Sequence, residues 1–249
     1  MKTATRLDGR AIEPRLINTF LTEVVPGESW PQIDNPTELQ DETWAAMHSL
    51  GERRWVERGA VLFRAGDPAG KLFMIARGRV KVILYSRDGE EALGTVLGPG
   101  EVLGSTSVID GRPRSVTATA DERTEVLILP RDALEHLVAT SPVVATDIYR
   151  LLVRQLRRSY AFIEDTIFLD VAGRVAKKLL ELAEAYGEEM DGGLVIDLPL
   201  TQLELATMVG VTRETVNKHL GAFRARGIID VRDHRIVIRQ PETLRRRIY

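Results

Sequence analysis

The residues most able to do chemistry in this 249-residue chain lie between Thr201 and Phe223. Thr201-Gln-Leu-Glu204 has a threonine followed three residues later by a glutamate, the pattern of a capping box that opens a helix. Leu205, Ala206 and Val209 follow, and Gly210 breaks the run. Thr212 then caps a second helix, Arg213 to Ala225, with Val216, Leu220 and Phe223 on its inner face. A small alanine at 206 lets two helices cross closely, and a glycine at 210 permits the tight turn between them. Opposite Val216 lie Glu214, Asn217, Lys218 and Gly221, with Arg213 at the helix tip. A forked guanidinium, an amide, a carboxylate and an ammonium on one helix face are the groups that read base edges and grip phosphates. The candidate DNA contacts are Thr201, Thr212, Arg213, Glu214, Asn217 and Lys218. Gly227 to Ile238 then reads as a β-hairpin wing, with His234 in its turn placed to meet phosphate.

Enzyme chemistry has little to stand on. Gly98-Pro-Gly100-Glu-Val-Leu-Gly104 has the wrong spacing for a dinucleotide loop and falls between strands. Gly66 to Leu72 is one residue short of a phosphate-binding loop and puts Leu72 where a magnesium-binding hydroxyl belongs. The four histidines are scattered, which excludes a zinc constellation and leaves His136 or His48 as haem ligands of last resort. With no cysteine there is no disulfide, thiolate metal site or iron–sulfur cluster. No apolar run is long enough for a membrane span, and Met1 to Arg10 lacks a signal peptide's apolar core, so a cytoplasmic location is expected.

Charge supports a polyanion partner at one end. From Thr201 to Tyr249 there are 10 Lys/Arg against 5 Asp/Glu, whereas the chain as a whole carries −2.

Residues 1–35 read as an arm with no sustained period, and a short helix follows around Pro36 to Ser49. From Glu52 to Pro130, short β-rich runs alternate with glycines: 61–63, 72–75, 80–84, 92–97, 115–120 and 125–129. Asp88-Gly89 predicts a two-residue hairpin turn. Many short strands without intervening helices predict an antiparallel sandwich or barrel. A helix ends near Ser141-Pro142, and a long one follows to about Phe168. Ala145, Tyr149, Leu152, Leu156, Ser159 and Ile163 recur at 4,3,4,3,4 spacing, the seam of a coiled coil and so a homodimer interface. The bland alternative is burial of that seam against the helix's own chain. Asp170 opens a further helix with Val171, Val175, Leu179, Leu182 and Tyr186 on one stripe, ending at Gly187. A polar loop, Glu188 to Gly193, and a strand around Leu194 to Leu198 come next.

Gly210-Val-Thr-Arg-Glu-Thr-Val216 closely resembles the recognition segment of the cyclic-AMP receptor protein/FNR (CRP/FNR) superfamily of bacterial transcription regulators. The likeness runs from about Asn35 to Leu244, through Leu97 to Gly104, Arg112-Pro-Arg-Ser115 and Phe168 to Arg174. It implies an α+β chain: a β-roll effector-binding domain at 36–141, cyclic-nucleotide-binding-like; a dimerisation helix at 142–168; and a winged helix-turn-helix at 169–249. It also implies a homodimer that reads palindromic double-stranded DNA and touches RNA polymerase, with 188–193 in the position of a contact surface, and that reorients about a hinge at Phe168 to Asp170 when an effector binds. Arg114 and Ser115 match the family's phosphate-contacting pair, and Ser159 a hydroxyl offered to the base. Gly104, Ser105 and Thr106 complete the candidate effector residues, and Ser105 stands where cyclic-AMP binders of the family carry a glutamate for the ribose. A serine cannot form that charge-assisted bond, which argues against cyclic AMP and leaves another nucleotide, another effector or none. The alternative function is a β-roll that acts chiefly through protein–protein contacts.

Overall fold

The computed structural model describes residues 39–190, 192–232 and 235–248; the arm at 1–35 and His234 lie outside them. Helix α1 (Asp41–Leu50) leads into eight short strands: β1 (Glu52–Val56), β2 (Val61–Phe63), β3 (Lys71–Arg77), β4 (Val80–Tyr85), β5 (Glu91–Leu97), β6 (Val102–Leu103), β7 (Thr117–Ala120) and β8 (Thr124–Pro130). They form two antiparallel sheets, ordered β1-β8-β3-β6 and β2-β7-β4-β5. The expected β-roll is present, with β1 and β6 beyond the runs read from sequence.

Strand alternation explains how one sheet serves two cores. Along β3, Phe73 and Ile75 join the core between the sheets, while Leu72 and Met74 face the helices. Along β8, Val126 and Ile128 point inward and Leu127 and Leu129 outward. Both strands are therefore buried on both faces, which is why their sequences are continuous apolar runs rather than alternating ones. The outer face is covered by α1, α3 (Arg131–Thr140) and the first half of α4 (Pro142–Phe168), through Met47, Leu134, Leu137, Val144, Ile148 and Leu151. Asp147 ties the same layer together. Its carboxylate accepts from Thr43 Oγ1 (2.7 Å) and from the backbone and side-chain N–H groups of Gln40 (2.9 and 3.1 Å).

Three local expectations are corrected. The roll is interrupted by a short helix, α2 (Ser105–Asp110), between Gly104 and Gly111, both left-handed at φ +75° and +74°. Six residues are under two helical turns, too few for a readable period. The hairpin at Asp88-Gly89 is longer than two residues: Ser86 N–H donates to Glu90 O (2.9 Å), Gly89 N–H to Ser86 O (3.1 Å), and Gly89 has φ +84°. Part of the polar loop at 188–193 is strand β9 (Gly187–Met190), paired with β10 (Gly193–Ile196). Its exposed polar side chains hid it, because an edge strand needs backbone partners more than an apolar face.

The C-terminal domain is built on α5 (Val171–Tyr186), α6 (Gln202–Val209), α7 (Arg213–Ala225) and α8 (Pro241–Ile248), against a sheet ordered β11-β12-β10-β9, where β11 is Ile229–Arg232 and β12 Arg235–Ile238. Val175, Leu179 and Leu182 pack with Leu205, Ala206, Val216 and Leu244 in one core.

Candidate functional site

Thr201 and Glu204 form the reciprocal capping box, and Thr212 accepts from Thr215 N–H (3.3 Å) at the head of α7. Gly210 sits at φ +68°, where an L side chain is strained, and Ala206 is fully buried at the crossing. Arg174 on α5 reaches the turn and donates to Val209 O (3.0 Å), satisfying a carbonyl at the end of α6. The recognition helix thus has fixed ends. Arg213, Glu214 and Lys218 are exposed on it, and a Cβ at Gly221 would meet nothing within 4 Å. Asn217 is half-buried, and its Oδ1 is shut from solvent without a partner. Thr201 is occupied differently: its hydroxyl and N–H both engage Glu204 Oε2, at 2.9 and 2.8 Å.

A cavity of about 350 Å³ opens between the roll and α4. Gly104, Thr106, Arg114, Ser115 and Ser159 line it, so five of the six candidate effector residues meet there. Ser105 does not. It is fully buried, and its Oγ accepts from Gln155 Nε2 (3.1 Å), tying α2 to α4. Arg114 is 4% exposed, with Nη1 donating to Gly104 O (2.9 Å), Nη2 to Lys71 O, and its guanidinium 4.3 Å from the Phe63 ring centre. This explains Gly104: a Cβ there would collide with the Arg114 guanidinium. Burial pushes the Arg114 pKa below the ordinary arginine value, against the opposing charge of Asp67.

Among the lining residues that sequence reasoning missed are Glu101, Arg154, Gln155 and Arg158. Both Nη atoms of Arg158 lie 3.1 Å from Glu101 Oε1. The signal was available: 151, 154, 155 and 158 follow the i, i+3, i+4, i+7 spacing of one helix face. His48 and His136 are exposed and outside the cavity. Among the described residues no cluster of metal-ligating side chains exists.

The hairpin β4–β5 has this cavity on one side and the DNA-reading domain on the other. Val82, Thr95 and Leu97 line the cavity. Leu93 and Val96 join the C-terminal core. A bulge at Gly94 makes this possible, since the pairing shifts from Val82↔Thr95 to Ile83↔Leu93 and turns Leu93 outward. Thr207 Oγ1 on α6 accepts from Leu93 N–H (3.0 Å), and Tyr186 O–H donates to Val96 O (3.1 Å). Lys81 bridges Asp121 (2.9 Å) and Glu204 (2.8 Å). Burial works against the Lys81 charge, but the bonds from Glu204 and Asp121 win and raise its pKa. Burial likewise opposes the Glu204 charge, and the hydrogen bonds from Lys81 and Thr201 hold its pKa below the usual carboxylate value.

Along α4 the apolar seam is split. Tyr149, Leu156 and Ile163 are exposed at 65%, 52% and 49%. Leu152 packs half-buried on its own roll, Ala145 is half-buried, and Ser159 donates to Gln155 O (3.2 Å). Val153, Tyr160 and Ile167 complete the exposed stripe instead. The register differs because the helix spends one face on its own chain, which spacing alone does not reveal.

A roll with a buried arginine in its cavity, joined by a long helix to a winged helix-turn-helix, is the architecture of a DNA-binding regulator with an effector-binding domain. Comparison with known proteins agrees. The Cyclic nucleotide-binding domain family matches residues 53–141, and the Crp-like helix-turn-helix domain family residues 173–247. A CRP-like cAMP-activated global transcriptional regulator of Mycobacterium tuberculosis is 40% identical over 190 residues, covering 76% of this chain and 85% of that protein. A Cyclic AMP receptor protein of Thermus thermophilus is 32% identical over 196 residues, covering 79% and 88%. Among solved structures, the c-di-GMP responsive global regulator CLP of Xanthomonas campestris matches with a TM-score of 0.69 at 26% identity, over 80% of this chain and 99% of that one. The chain belongs to the CRP/FNR family of DNA-binding transcription regulators. Among the described residues no helix is long and apolar enough to cross a membrane.

Proposed function

We propose that this protein is a cytoplasmic homodimeric transcription regulator whose cavity binds a small anionic effector and whose paired recognition helices read a palindrome. The observation that carries the reading is the two-sided hairpin β4–β5. Its inner residues Val82, Thr95 and Leu97 line the cavity, and its outer residues Lys81, Leu93 and Val96 hold the DNA-reading domain. A ligand that moves the strands from inside therefore acts on α6 without an intermediary, in addition to any motion at the hinge 168–170. On this reading the exposed stripe on α4 is the dimer seam and the exposed β9 edge is the surface offered to RNA polymerase; the stripe's apolar side chains and the edge's free exposure support it. The relatives from Mycobacterium tuberculosis and Thermus thermophilus are named for cyclic AMP, whereas the family resemblance puts a ribose-binding glutamate where this chain has Ser105, which argues against cyclic AMP here and favours another nucleotide or anion.

The test selects duplexes from a random library and titrates the selected site against salt. A palindrome with half-sites about one helical turn apart and affinity that falls steeply with salt is expected. Lys81→Met and Leu93→Ala, both off the DNA surface, should change the effector-free affinity. An asymmetric or salt-insensitive site would refute the DNA reading, and unchanged affinity in both variants would refute coupling through the hairpin.

A further inference from the structure

The cavity carries more positive charge than its own side chains neutralise. Arg114, Arg154 and Arg158 line it against a single carboxylate, Glu101. Glu101 is already engaged by Arg158 and by Gly98 N–H (2.9 Å). Arg114 spends its Nη atoms on two carbonyls, and neither it nor Arg154 has a carboxylate in ion-pair contact among the described residues. Asp147, two turns before Arg154 on α4, is bound by Gln40, Thr43 and Arg150. The Nε atoms of both Arg114 and Arg154 are closed off from solvent with no partner. Burial, and then repulsion from Arg158, makes Arg154 easier to deprotonate than an ordinary arginine. Charges held this way without partners cost free energy, and a ligand that pairs them recovers it.

We propose that the cavity takes a nucleotide bearing two separate phosphate groups, one seated at Arg114 and Ser115 and the other at Arg154 on the long helix. This rests on the effector reading above and specifies its ligand. The walls suit a nucleotide: Phe63, Val82 and Leu97 offer apolar surface to a base, and the matched family model for 53–141 is that of a cyclic-nucleotide-binding domain. A cyclic monophosphate brings one negative charge and leaves Arg154 unpaired. Two phosphates pair both arginines, one from the roll and one from α4, and so clamp the helix to the roll.

Calorimetry on the full chain with cyclic AMP, AMP and adenosine 3′,5′-bisphosphate tests this, because the three share base and ribose and differ in their phosphates. The bisphosphate should bind at least about tenfold more tightly than AMP, the gain of one charge-assisted contact set. Arg154→Gln should erase that advantage, lowering bisphosphate affinity by at least about tenfold more than AMP affinity, while Arg154→Lys keeps part of it. Arg114→Met should weaken all three. Thermal unfolding checks that each variant is folded, and Arg154→Lys provides the reading if Arg154→Gln is not. A bisphosphate that binds no better than AMP, or an advantage that survives in Arg154→Gln, would overturn the second phosphate site and leave the effector reading standing. No binding of any of the three would overturn both.

Discussion

Replacing Leu156 by aspartate should dissolve the dimer without unfolding the protomer. Leu156 is 52% exposed on α4, in a stripe with Tyr149, Val153, Tyr160, Ile163 and Ile167. Burying the exposed half of a leucine is worth about 1–1.5 kcal/mol, and a two-fold interface loses it twice. The substitution also places two carboxylates in an apolar seam, each costing at least about 1–3 kcal/mol in unmet hydrogen bonding before their mutual repulsion is counted. The total, on the order of 5 kcal/mol or more, weakens dimerisation by at least roughly a thousandfold. Sedimentation velocity at micromolar protein should show monomers, and affinity for the palindrome should collapse with it. Leu152→Ala is the internal comparison, because Leu152 packs on its own roll. It should lower the melting temperature and leave the dimer intact. A Leu156→Asp protein that stays dimeric, or a Leu152→Ala protein that dissociates while remaining folded, would refute this assignment of faces.

Three further outcomes follow from other parts of the molecule. Arg213→Ala should cost about 1–3 kcal/mol on the selected site and little on random DNA, as measured by fluorescence anisotropy; equal losses would make Arg213 a phosphate contact only. Gly104→Ala should abolish anion binding and reduce stability, because it strains a φ of +75° and collides with Arg114; calorimetric binding like that of the wild type would contradict the packing described. Burial opposes the Asp147 charge, but hydrogen bonds from Thr43 and Gln40 outweigh it, so its pKa is depressed in the fold. It therefore contributes stability above the unfolded value of about 4, and that contribution is lost as pH falls through the lower folded value. Asp147→Asn should be less stable than the wild type at neutral pH, and denaturant midpoints of the two should converge below about pH 4.

The C-terminal reader was the most legible part of the chain, because its determinants are local. A threonine cap, a glutamate three residues on, a glycine that must take positive φ and a threonine opening the next helix all act within a few residues. Sequence order therefore specifies the turn, its ends and the exposed face that carries Arg213, Glu214 and Lys218. The strand-rich region was legible as an antiparallel sandwich or barrel from its short apolar runs and glycines, and the resemblance narrowed it to a β-roll. Arg114 was found by resemblance to a known cassette rather than by spacing, because what makes it special is burial against Gly104 and Phe63.

Tertiary structure decided the rest. Whether Leu152 or Val153 faces outward depends on which side of α4 meets the roll, and a repeat of 4,3,4 tolerates either choice. Ser105 looked like a ligand contact from its place in the chain, yet in the first turn of α2 it is buried with its hydroxyl accepting from Gln155, and Gln155 lines the cavity in its stead. The bulge at Gly94, one extra residue in a single strand, sends Leu93 to the DNA-reading domain while Thr95 and Leu97 line the cavity. Arg154 and Arg158 on α4 meet Glu101 of the roll, 53 and 57 positions earlier in the chain. Local chemistry sets caps, turns and strand propensity over a few residues. Charge balance in a cavity and the division of a helix's faces are set by what packs against them, and that is decided only once the chain has closed on itself.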